Sequence, residues 1–364
     1  MSDFIPISRP SITQREIDLV TDAVSSGWVS SLGPYIDRLE KQFAAFCGTQ
    51  YAIATANGTV ALHLALVACG IGVGDEVIVP DLTFAATANA VLYTGAKVVL
   101  ADIEPNTLCI DPFAIERVIT PRTKAIIPVH LYGHPADMSE IGRIAADHHL
   151  TVVEDAAEAH GAEAHGSRVG SLGRCGVFSF YGNKIMTTGE GGMITTDDHD
   201  LFERARRLRD HAMNPARRYW HDDVGYNYRM TNLQAAMGVA QMERINDLLE
   251  KRHLVFQWYA DNLKDVPRIS LNRTATWAKN VYWMVCAEIA DCSEAERGEI
   301  MRRLKERGID SRPYFYPLSD MPIYPPCNSP IAHSVTQRGL NLPSYFDLSY
   351  SDVVRICEAL KSLV

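Results

Sequence analysis

The sequence lacks the features that mark secreted and membrane-spanning proteins. Its eight cysteines are scattered with no C-x-x-C pair, which argues against a disulfide framework or a zinc site and indicates reduced thiols. No uninterrupted apolar run reaches the roughly 20 residues that a membrane-spanning helix needs. Residues 1–10 also contain no apolar run of the signal-peptide type. These absences predict a cytoplasmic protein without a membrane segment or a bound metal.

Basic residues are outnumbered by acidic ones, 35 against 44, and the formal net charge is -9. A protein that binds the phosphate backbone of nucleic acid needs a basic face, so we expect no nucleic-acid partner. A nucleotide-linked small molecule stays open, because it needs only a few local cations. The 364 residues, of which 47% are hydrophobic, suffice for about two domains with a sizeable core.

Strands and helices alternate along residues 51–154. Such alternation predicts an α/β fold with a mostly parallel sheet that helices cover on both faces. Apolar and β-branched runs predict strands at 51–55, 76–80, 97–101, 124–128 and 151–154. Periodic apolar residues predict helices at 11–25, 34–47, 60–68, 83–93, 112–119 and 138–148. The first of these has Thr13 as its N-cap and Glu16 completing a capping box.

The chain after residue 231 follows a different pattern. One long helical pattern at 232–263 leads into a smaller region, in which strands are predicted at 283–288 and 311–316. Helices are predicted there at 293–307 and 351–363. We therefore predict a large domain at 1–245 and a small C-terminal domain at 246–364.

Several polar or aromatic side chains stand directly after predicted strands. In a parallel sheet, ligands bind outside the carboxyl ends of the strands, so these side chains are expected at one functional edge. They are Asn57, Phe84, His130, Asp155 and Lys184.

A single lysine, Lys184, lies between two β-prone runs at 177–181 and 193–196, beside Gly182-Asn183 and a glycine cluster at 189–192. Such a setting suits an amine that must be neutral to attack a carbonyl, and Schiff-base chemistry with pyridoxal phosphate (PLP) is the commonest use of such a lysine. The alternative is a surface lysine in a hairpin loop, which is what most lysines are.

Two further positions have a functional and a structural interpretation. Asn57-Gly58-Thr59 joins a strand to a helix N-terminus, which favours an anion such as phosphate, but the same tripeptide serves as an ordinary turn and cap. Asp155 ends an apolar strand, where a carboxylate is costly unless it is paired. It is either a helix cap or structural pair, or the group that holds a proton on a pyridine nitrogen.

Four motifs together resemble one family. They are Asn-Gly-Thr at 57–59, Glu-Asp-Ala-Ala at 154–157, Gly-Asn-Lys at 182–184 with Thr-Gly-Glu-Gly-Gly at 188–192, and Gly-Tyr-Asn-Tyr-Arg-Met at 225–230. From about Pro10 to its C-terminus the chain resembles the PLP-dependent sugar aminotransferases of the DegT/DnrJ/EryC1/StrS family. The resemblance implies aminotransferase fold type I: a mostly parallel, seven-stranded-type central sheet with helices on both faces and a smaller C-terminal α+β domain. It also implies PLP as cofactor and a homodimer whose active sites lie at the subunit interface.

The resemblance implies a role for each matching residue. Lys184 would bind PLP covalently and then move a proton between the amino-acid α-carbon and PLP C4'. Asp155 would pair with the pyridine nitrogen, and Phe84 would stack on the ring. The implied phosphate contacts are Gly58, Thr59, Ser179 and, from the neighbouring subunit, Asn227.

Glu158 stands where most of the family has glutamine, near the phenolic oxygen of the ring. An ionised carboxylate facing a phenolate would be repelled, so we expect one of the two to carry a proton. Glu158, Arg-Arg-Tyr-Trp at 217–220 and Gly-Leu-Asn-Leu-Pro at 339–343 are similar to the perosamine-forming subgroup. This likeness implies transfer of the amino group of L-glutamate to C4'' of GDP-4-keto-6-deoxy-D-mannose.

Cationic and planar side chains are candidates for contacts with the sugar nucleotide, with a role in subunit-interface structure as the alternative. They are Arg217, Arg218, Tyr219, Arg312, Tyr314 and Tyr316. Three other functions stay open: an aminotransferase for a dTDP- or UDP-linked keto sugar, a related PLP-dependent keto-sugar dehydratase, and a non-catalytic PLP-binding regulator. The dehydratase branch replaces the Schiff-base lysine with histidine, so Lys184 argues against it. A non-catalytic protein could lose Lys184 or Asp155, and both are present.

Overall fold

The computed structural model describes residues 4–364, and its strands form three sheets. In chain order the strands are β1 (Tyr51–Thr55), β2 (Glu76–Pro80), β3 (Lys97–Ala101), β4 (Thr123–Ile126), β5 (Thr151–Asp155), β6 (Glu163–Ala164), β7 (Ser167–Arg168), β8 (Cys175–Ser179), β9 (Gly192–Thr196), β10 (Ile269–Leu271), β11 (Ala278–Lys279), β12 (Val285–Ile289), β13 (Arg312–Pro313) and β14 (Gly339–Leu342).

The helices of the same residues alternate with the first strands and then dominate the second half of the chain. They are α1 (Gln14–Ser25), α2 (Pro34–Cys47), α3 (Gly58–Ala68), α4 (Ala86–Tyr93), α5 (Pro112–Val118), α6 (Met138–His148), α7 (His199–Arg209), α8 (Asn232–Glu243), α9 (Ile245–Leu263), α10 (Glu294–Glu306), α11 (Pro330–Arg338) and α12 (Tyr350–Lys361). Short 3-10 turns occur at Leu131–Gly133 and Leu318–Asp320.

The central sheet has seven strands in the order β1-β9-β8-β5-β4-β2-β3. The pairings from β3 to β8 are parallel, whereas β9 is antiparallel to both β8 and β1. Two apolar clusters pack around it, one containing Phe43 and Ile141 and the other Leu62 and Val91. A mostly parallel sheet must be covered on both faces, which is why β2 is buried along its whole length. The predicted fold class is confirmed.

The starts of α1 and α3 are fixed by side-chain caps, as the sequence predicts. Thr13 and Glu16 form the expected capping box of α1. The Asn57 side chain accepts from the Val60 N–H, so α3 begins at Gly58, two residues earlier than predicted, and its first turn contains Gly58 and Thr59. The helix predicted at 83–93 starts later, at Ala86.

Two predictions about the second half of the chain were wrong. The helix predicted at 232–263 is two helices, because Arg244 leaves the helical conformation (φ -128°, ψ 21°). Its guanidinium instead bonds to Glu16 Oε1 at 3.0 Å and to the Ser11 carbonyl at 2.6 Å, which ties the break to the start of α1. The strand predicted at 311–316 is only the dipeptide β13, and Tyr314 beyond it is a core residue.

The four-stranded sheet, in the order β10-β12-β14-β13, has its own apolar cluster with residues of α9, α10 and α12. The boundary of the two domains at residue 245 stays a prediction, and residues 1–3 of the large domain lie outside the described residues. Within residues 4–364, no helix combines the length and apolar character needed to cross a bilayer.

Candidate active site

A cavity of about 580 Å³ lies at the carboxyl edge of the central sheet, bordered by β5, β8 and the N-termini of α3 and α4. Parallel strands end there, so polar side chains from distant parts of the sequence meet. Among the residues that line it are Gly58, Thr59, Phe84, Asp155, Glu158, Ser179 and Lys184. The structure therefore brings together the predicted cofactor residues of this chain, with the exception of Asn227.

Asp155 is the last residue of β5 and is 5% exposed. Its carboxylate accepts from the Thr87 hydroxyl at 2.8 Å and from the Ala157 N–H at 3.2 Å. Burial raises the pKa of Asp155, while these two donors and the Lys184 cation oppose that rise. The cavity thus contains a carboxyl group whose charge depends on nearby donors and on a cationic neighbour.

Lys184 and Glu158 form an ion pair on the cavity wall. Lys184 Nζ donates to Glu158 Oε1 at 3.4 Å, and Glu158 Oε2 accepts from the Tyr132 N–H at 2.9 Å. Glu158 is 4% exposed. Burial raises the pKa of Glu158, and the Lys184 cation and the Tyr132 N–H lower it only in part. The cavity therefore offers an amine beside a carboxyl group that retains its proton more readily than a solvent-exposed one.

The part of the cavity wall at the start of α3 suits a phosphate. The first turn of α3 presents backbone N–H groups without helical partners, and the Thr59 and Ser179 hydroxyls flank it. A Cβ atom added to Gly58 would lie 2.8 Å from Ser179 Cβ, so only glycine leaves this space open. An anion at this position would face the positive end of the helix dipole.

Several predicted residues lie elsewhere. Arg217, Arg218 and Tyr219 belong to an exposed loop in which Arg217 packs over Trp220 at 4.0 Å. Asn227 pairs with Asp210 in a β-bridge and is not among the residues that line the cavity of its own chain. The structure therefore assigns these four residues no contact with the site of their own subunit.

Three further candidates, which lie in or just after β13 of the four-stranded sheet, are also not among the residues that line the cavity. Arg312 is exposed and pairs with Asp310 at 3.0 Å, and Tyr316 packs near Arg297. Tyr314 is 2% exposed and lies against Tyr132 at a ring distance of 5.3 Å. The side chain of Tyr314 belongs to the core, so the structure does not support a direct substrate contact for it.

His130, expected at the functional edge, does not line the cavity. It is fully buried, its Nδ1 accepts from the Ala136 N–H, and its Nε2 therefore donates to Glu154 Oε2 at 3.0 Å. The expectation failed because the side chains of consecutive strand residues alternate between the two faces, so a position after a strand does not decide which side a residue serves.

Three contact residues of the site were not predicted from the sequence: Thr87, Tyr132 and Trp283. Thr87 and Tyr132 supply hydrogen bonds to Asp155 and Glu158, and the Trp283 ring covers Lys184 Nζ at 4.0 Å. Thr87 follows Phe84 by one helical turn, which is a weak signal for a shared site. Trp283 is far from Lys184 in sequence, and no local pattern shows that the two meet.

The matches to known proteins cover the whole fold. The model of the DegT/DnrJ/EryC1/StrS aminotransferase family matches residues 10–361. The chain belongs to this family. It is 47% identical to the GDP-perosamine synthase of Caulobacter vibrioides, over 100% of both chains. The predicted family is thus confirmed, and with it the enzyme class of aminotransferase.

Two solved structures show how far the fold is shared. Spr1654 of Streptococcus pneumoniae, in its PLP form, superposes with a TM-score of 0.94 at 28% identity, covering 99% of this chain and 98% of that one. DesI, in the presence of its TDP-sugar product, has a TM-score of 0.93 at 31% identity, covering 100% and 93%. Aminotransferases of this family depend on PLP, so the predicted cofactor is also confirmed.

The residues present fit PLP. A phosphate requires the space that Gly58 leaves open at the N-terminus of α3, a pyridine nitrogen requires a carboxylate such as Asp155, and an aldehyde requires an amine such as Lys184. All three lie on the wall of one cavity. Phe84, 59% exposed, stands at its mouth with its ring 5.8 Å from that of Phe315.

The raised pKa of Glu158 gives a test that needs no cofactor. Below its unfolded value near 4.5 the carboxyl is protonated in both states, and above it the folded state binds more protons. The contribution of Glu158 to the free energy of unfolding of the parent should therefore be lost as the pH rises through the folded value. We compare the free energies of unfolding of the PLP-free Glu158→Gln variant and the PLP-free parent, measured with urea. The difference, variant minus parent, should rise between about pH 4 and pH 8.

Glu358→Gln, an exposed carboxyl change on α12, is the matched control and should give the same difference at both ends of that range. A relative stability of Glu158→Gln that falls as the pH rises would mean that the ion pair with Lys184 outweighs burial. The interpretation of Glu158 as a proton-retaining group would then be wrong.

Proposed function

We propose that this aminotransferase moves the amino group of L-glutamate to C4'' of GDP-4-keto-6-deoxy-D-mannose, giving GDP-perosamine and 2-oxoglutarate. The observation that carries the choice of substrate is the 47% identity to a GDP-perosamine synthase over the full length of both chains. The eight free cysteines, six of them buried, fit a reducing compartment, which supports the cytoplasm as its location.

The chemistry requires an electron sink at the donor carbon, which PLP supplies when it is bound. Lys184 carries the amine that holds the cofactor and afterwards takes the proton from the α-carbon of glutamate, since it is the amine on the cavity wall. Asp155 keeps a proton on the pyridine nitrogen, and Thr87 and Ala157 fix its two oxygens for that task. Both functions depend on the low exposure of these side chains, because water would weaken each electrostatic contact.

The other cavity residues would hold and orient the cofactor. Gly58, Thr59 and Ser179 would bind the phosphate, and Phe84 would cover the ring. Glu158, whose burial favours its neutral form, would donate its proton in a hydrogen bond to the phenolic oxygen. Each role is the one that the resemblance to the family implies, and the position and burial of the residue in the cavity support it.

A second copy of the chain completes the site. The loop from residue 214 to 224 leaves large apolar side chains exposed, with Val224 at 80%, Tyr219 at 74% and Trp220 at 47%. Tyr219 has a left-handed backbone (φ 63°), which is unfavourable for a residue with a side chain. Arg217, Arg218 and Trp220 offer the cations and the ring that a nucleoside diphosphate needs. We infer a homodimer in which this loop and Asn227 serve the partner's cavity.

A dTDP-linked keto sugar is the second candidate substrate. It is supported by the shared fold of DesI, solved with its TDP-sugar product, at the lower identity of 31%. The keto-sugar dehydratase remains less favoured, since Lys184 stands where that branch has histidine. A non-catalytic regulator would not need both Asp155 and the Lys184–Glu158 pair in one cavity.

The cross-subunit assignment is tested with hybrid dimers. Lys184→Ala and Asn227→Asp, each inactive alone, are mixed under conditions in which subunits exchange. If Asn227 serves the partner, each hybrid has one site with both lesions and one intact site, so turnover should return to about one quarter of the parent value. No recovery, although native mass spectrometry shows that hybrids form, would mean that Asn227 serves its own chain.

The substrate is tested with a panel of 4-keto sugars linked to GDP, dTDP and UDP, with L-glutamate as donor and Lys184→Ala as the inactive control. We expect the GDP-linked mannose derivative to exceed the others by at least about tenfold in kcat/KM, which corresponds to about 1.4 kcal/mol of discrimination. Equal or better turnover of a dTDP- or UDP-linked sugar would overturn the choice of substrate and leave the aminotransferase class intact.

A further inference from the structure

The amine of Lys184 is enclosed between two groups, and one of them belongs to no motif of the sequence. Lys184 Nζ lies 3.4 Å from Glu158 Oε1 and 4.0 Å from the centre of the Trp283 ring. Trp283 is 3% exposed and lines the cavity. An aromatic face at this distance attracts an ammonium group and shields it from water. Trp283 is thus a wall of the cavity on the side of the amine.

The same indole also contacts the backbone next to the lysine. Its Nε1–H donates to the Asn183 carbonyl at 2.8 Å, and Asn183 directly precedes Lys184. A buried indole N–H that found no acceptor would be unfavourable, so this bond fixes the ring relative to that peptide. The Trp283 side chain therefore contacts both the peptide that precedes Lys184 and the amine at the end of the Lys184 side chain.

Trp283 is itself held by a buried cation. The guanidinium of Arg252 on α9 donates to the Trp283 carbonyl at 3.1 Å and to the Ser344 carbonyl. Arg252 is 5% exposed and makes no ion pair within residues 4–364, and burial lowers its pKa to about 10. A guanidinium buried without a carboxylate is costly, which indicates that the fold needs these carbonyls fixed.

The backbone before Trp283 is strained. Tyr282 has a left-handed conformation (φ 49°), which residues other than glycine rarely adopt. Gly133 (φ 104°) approaches so closely that a Cβ there would lie 2.8 Å from the Trp283 N atom. Strain of this kind persists where the surrounding structure requires a special geometry, and functional sites are where it concentrates.

We propose that Trp283 is a positioning residue for Lys184, whose ring face holds the amine inside the cavity while its N–H fixes the peptide before it. The inference rests on the proposed role of Lys184 as the residue that binds PLP. In that step the ammonium group gives its proton to the Glu158 carboxylate 3.4 Å away, the neutral amine adds to the aldehyde carbon of PLP, and one water is expelled. The amine must therefore be held at the cavity wall, away from solvent, before it reacts.

Two ligands separate positioning from damage to the cavity. Pyridoxamine phosphate would make the same phosphate and ring contacts as PLP but has no aldehyde. Its affinity for the full-length PLP-free protein, measured by calorimetry, therefore reports those contacts alone. The rate at which PLP is captured covalently, followed by stopped-flow absorbance, reports the position of Lys184. Urea unfolding verifies that each variant is folded.

For Trp283→Leu, which loses the ring and the donor, we expect capture to be at least about tenfold slower with pyridoxamine phosphate affinity within about threefold of the parent. Trp283→Phe keeps a ring but loses the N–H, and should be slowed about threefold. Trp258→Leu and Trp258→Phe are the matched controls, because Lys251 Nζ lies 4.5 Å over the Trp258 ring, away from the cavity. Both controls should match the parent in the rate of PLP capture and in the affinity for pyridoxamine phosphate.

An unchanged rate of PLP capture in a folded Trp283→Leu variant would overturn the proposal. So would an equal loss of capture rate and pyridoxamine phosphate affinity, because it would mean that the phosphate and ring contacts of the cavity are damaged. If Trp283→Leu does not fold, Trp283→Phe decides by the same two criteria. A parent protein that captures no PLP would instead overturn the proposed role of Lys184. The two failures are therefore distinguishable.

Discussion

The site depends on placing three ionisable side chains, Asp155, Glu158 and Lys184, out of water at one edge of a parallel sheet. Burial penalises charge, and in this cavity it raises the pKa values of the Asp155 and Glu158 carboxyl groups. The arrangement is tolerable because Lys184 donates to Glu158 and its charge opposes the penalty at Asp155, and because Thr87, Tyr132 and Ala157 donate hydrogen bonds to the two carboxyl groups. The same low exposure gives a bound cofactor strong electrostatic contacts.

The end of β5 is rigid because the residue before Asp155 is anchored. Glu154 is fully buried and accepts from the N–H groups of Gly170, Leu172 and Gly173, each at 2.7 Å, as well as from His130. A buried carboxylate with several donors is well satisfied and resists displacement. The two consecutive acidic residues of β5 thus have different roles. Glu154 anchors the end of the strand, and Asp155 lines the cavity.

The sequence predicted those features that depend on local pattern. Alternating strands and helices indicated the parallel sheet, and the positions after strands pointed to Asn57, Phe84, Asp155 and Lys184 at its edge. Contacts between distant segments could not be predicted, so Trp283 over Lys184 was missed and Tyr314 was placed at the substrate instead of in the core. The break at Arg244 was missed for the same reason, because it follows from bonds to α1 and not from helix propensity. The residue roles and the domain boundary stay predictions.

The central claim is that Lys184 is the amine of this cavity that carries PLP. The direct measurement is borohydride reduction of the PLP-loaded protein, followed by proteolysis and mass spectrometry to locate the phosphopyridoxyl group. We expect the group on the peptide that contains Lys184, and no labelled peptide from Lys184→Ala. A phosphopyridoxyl group on another lysine of the parent, or labelling of Lys184→Ala to the same extent, would contradict the account.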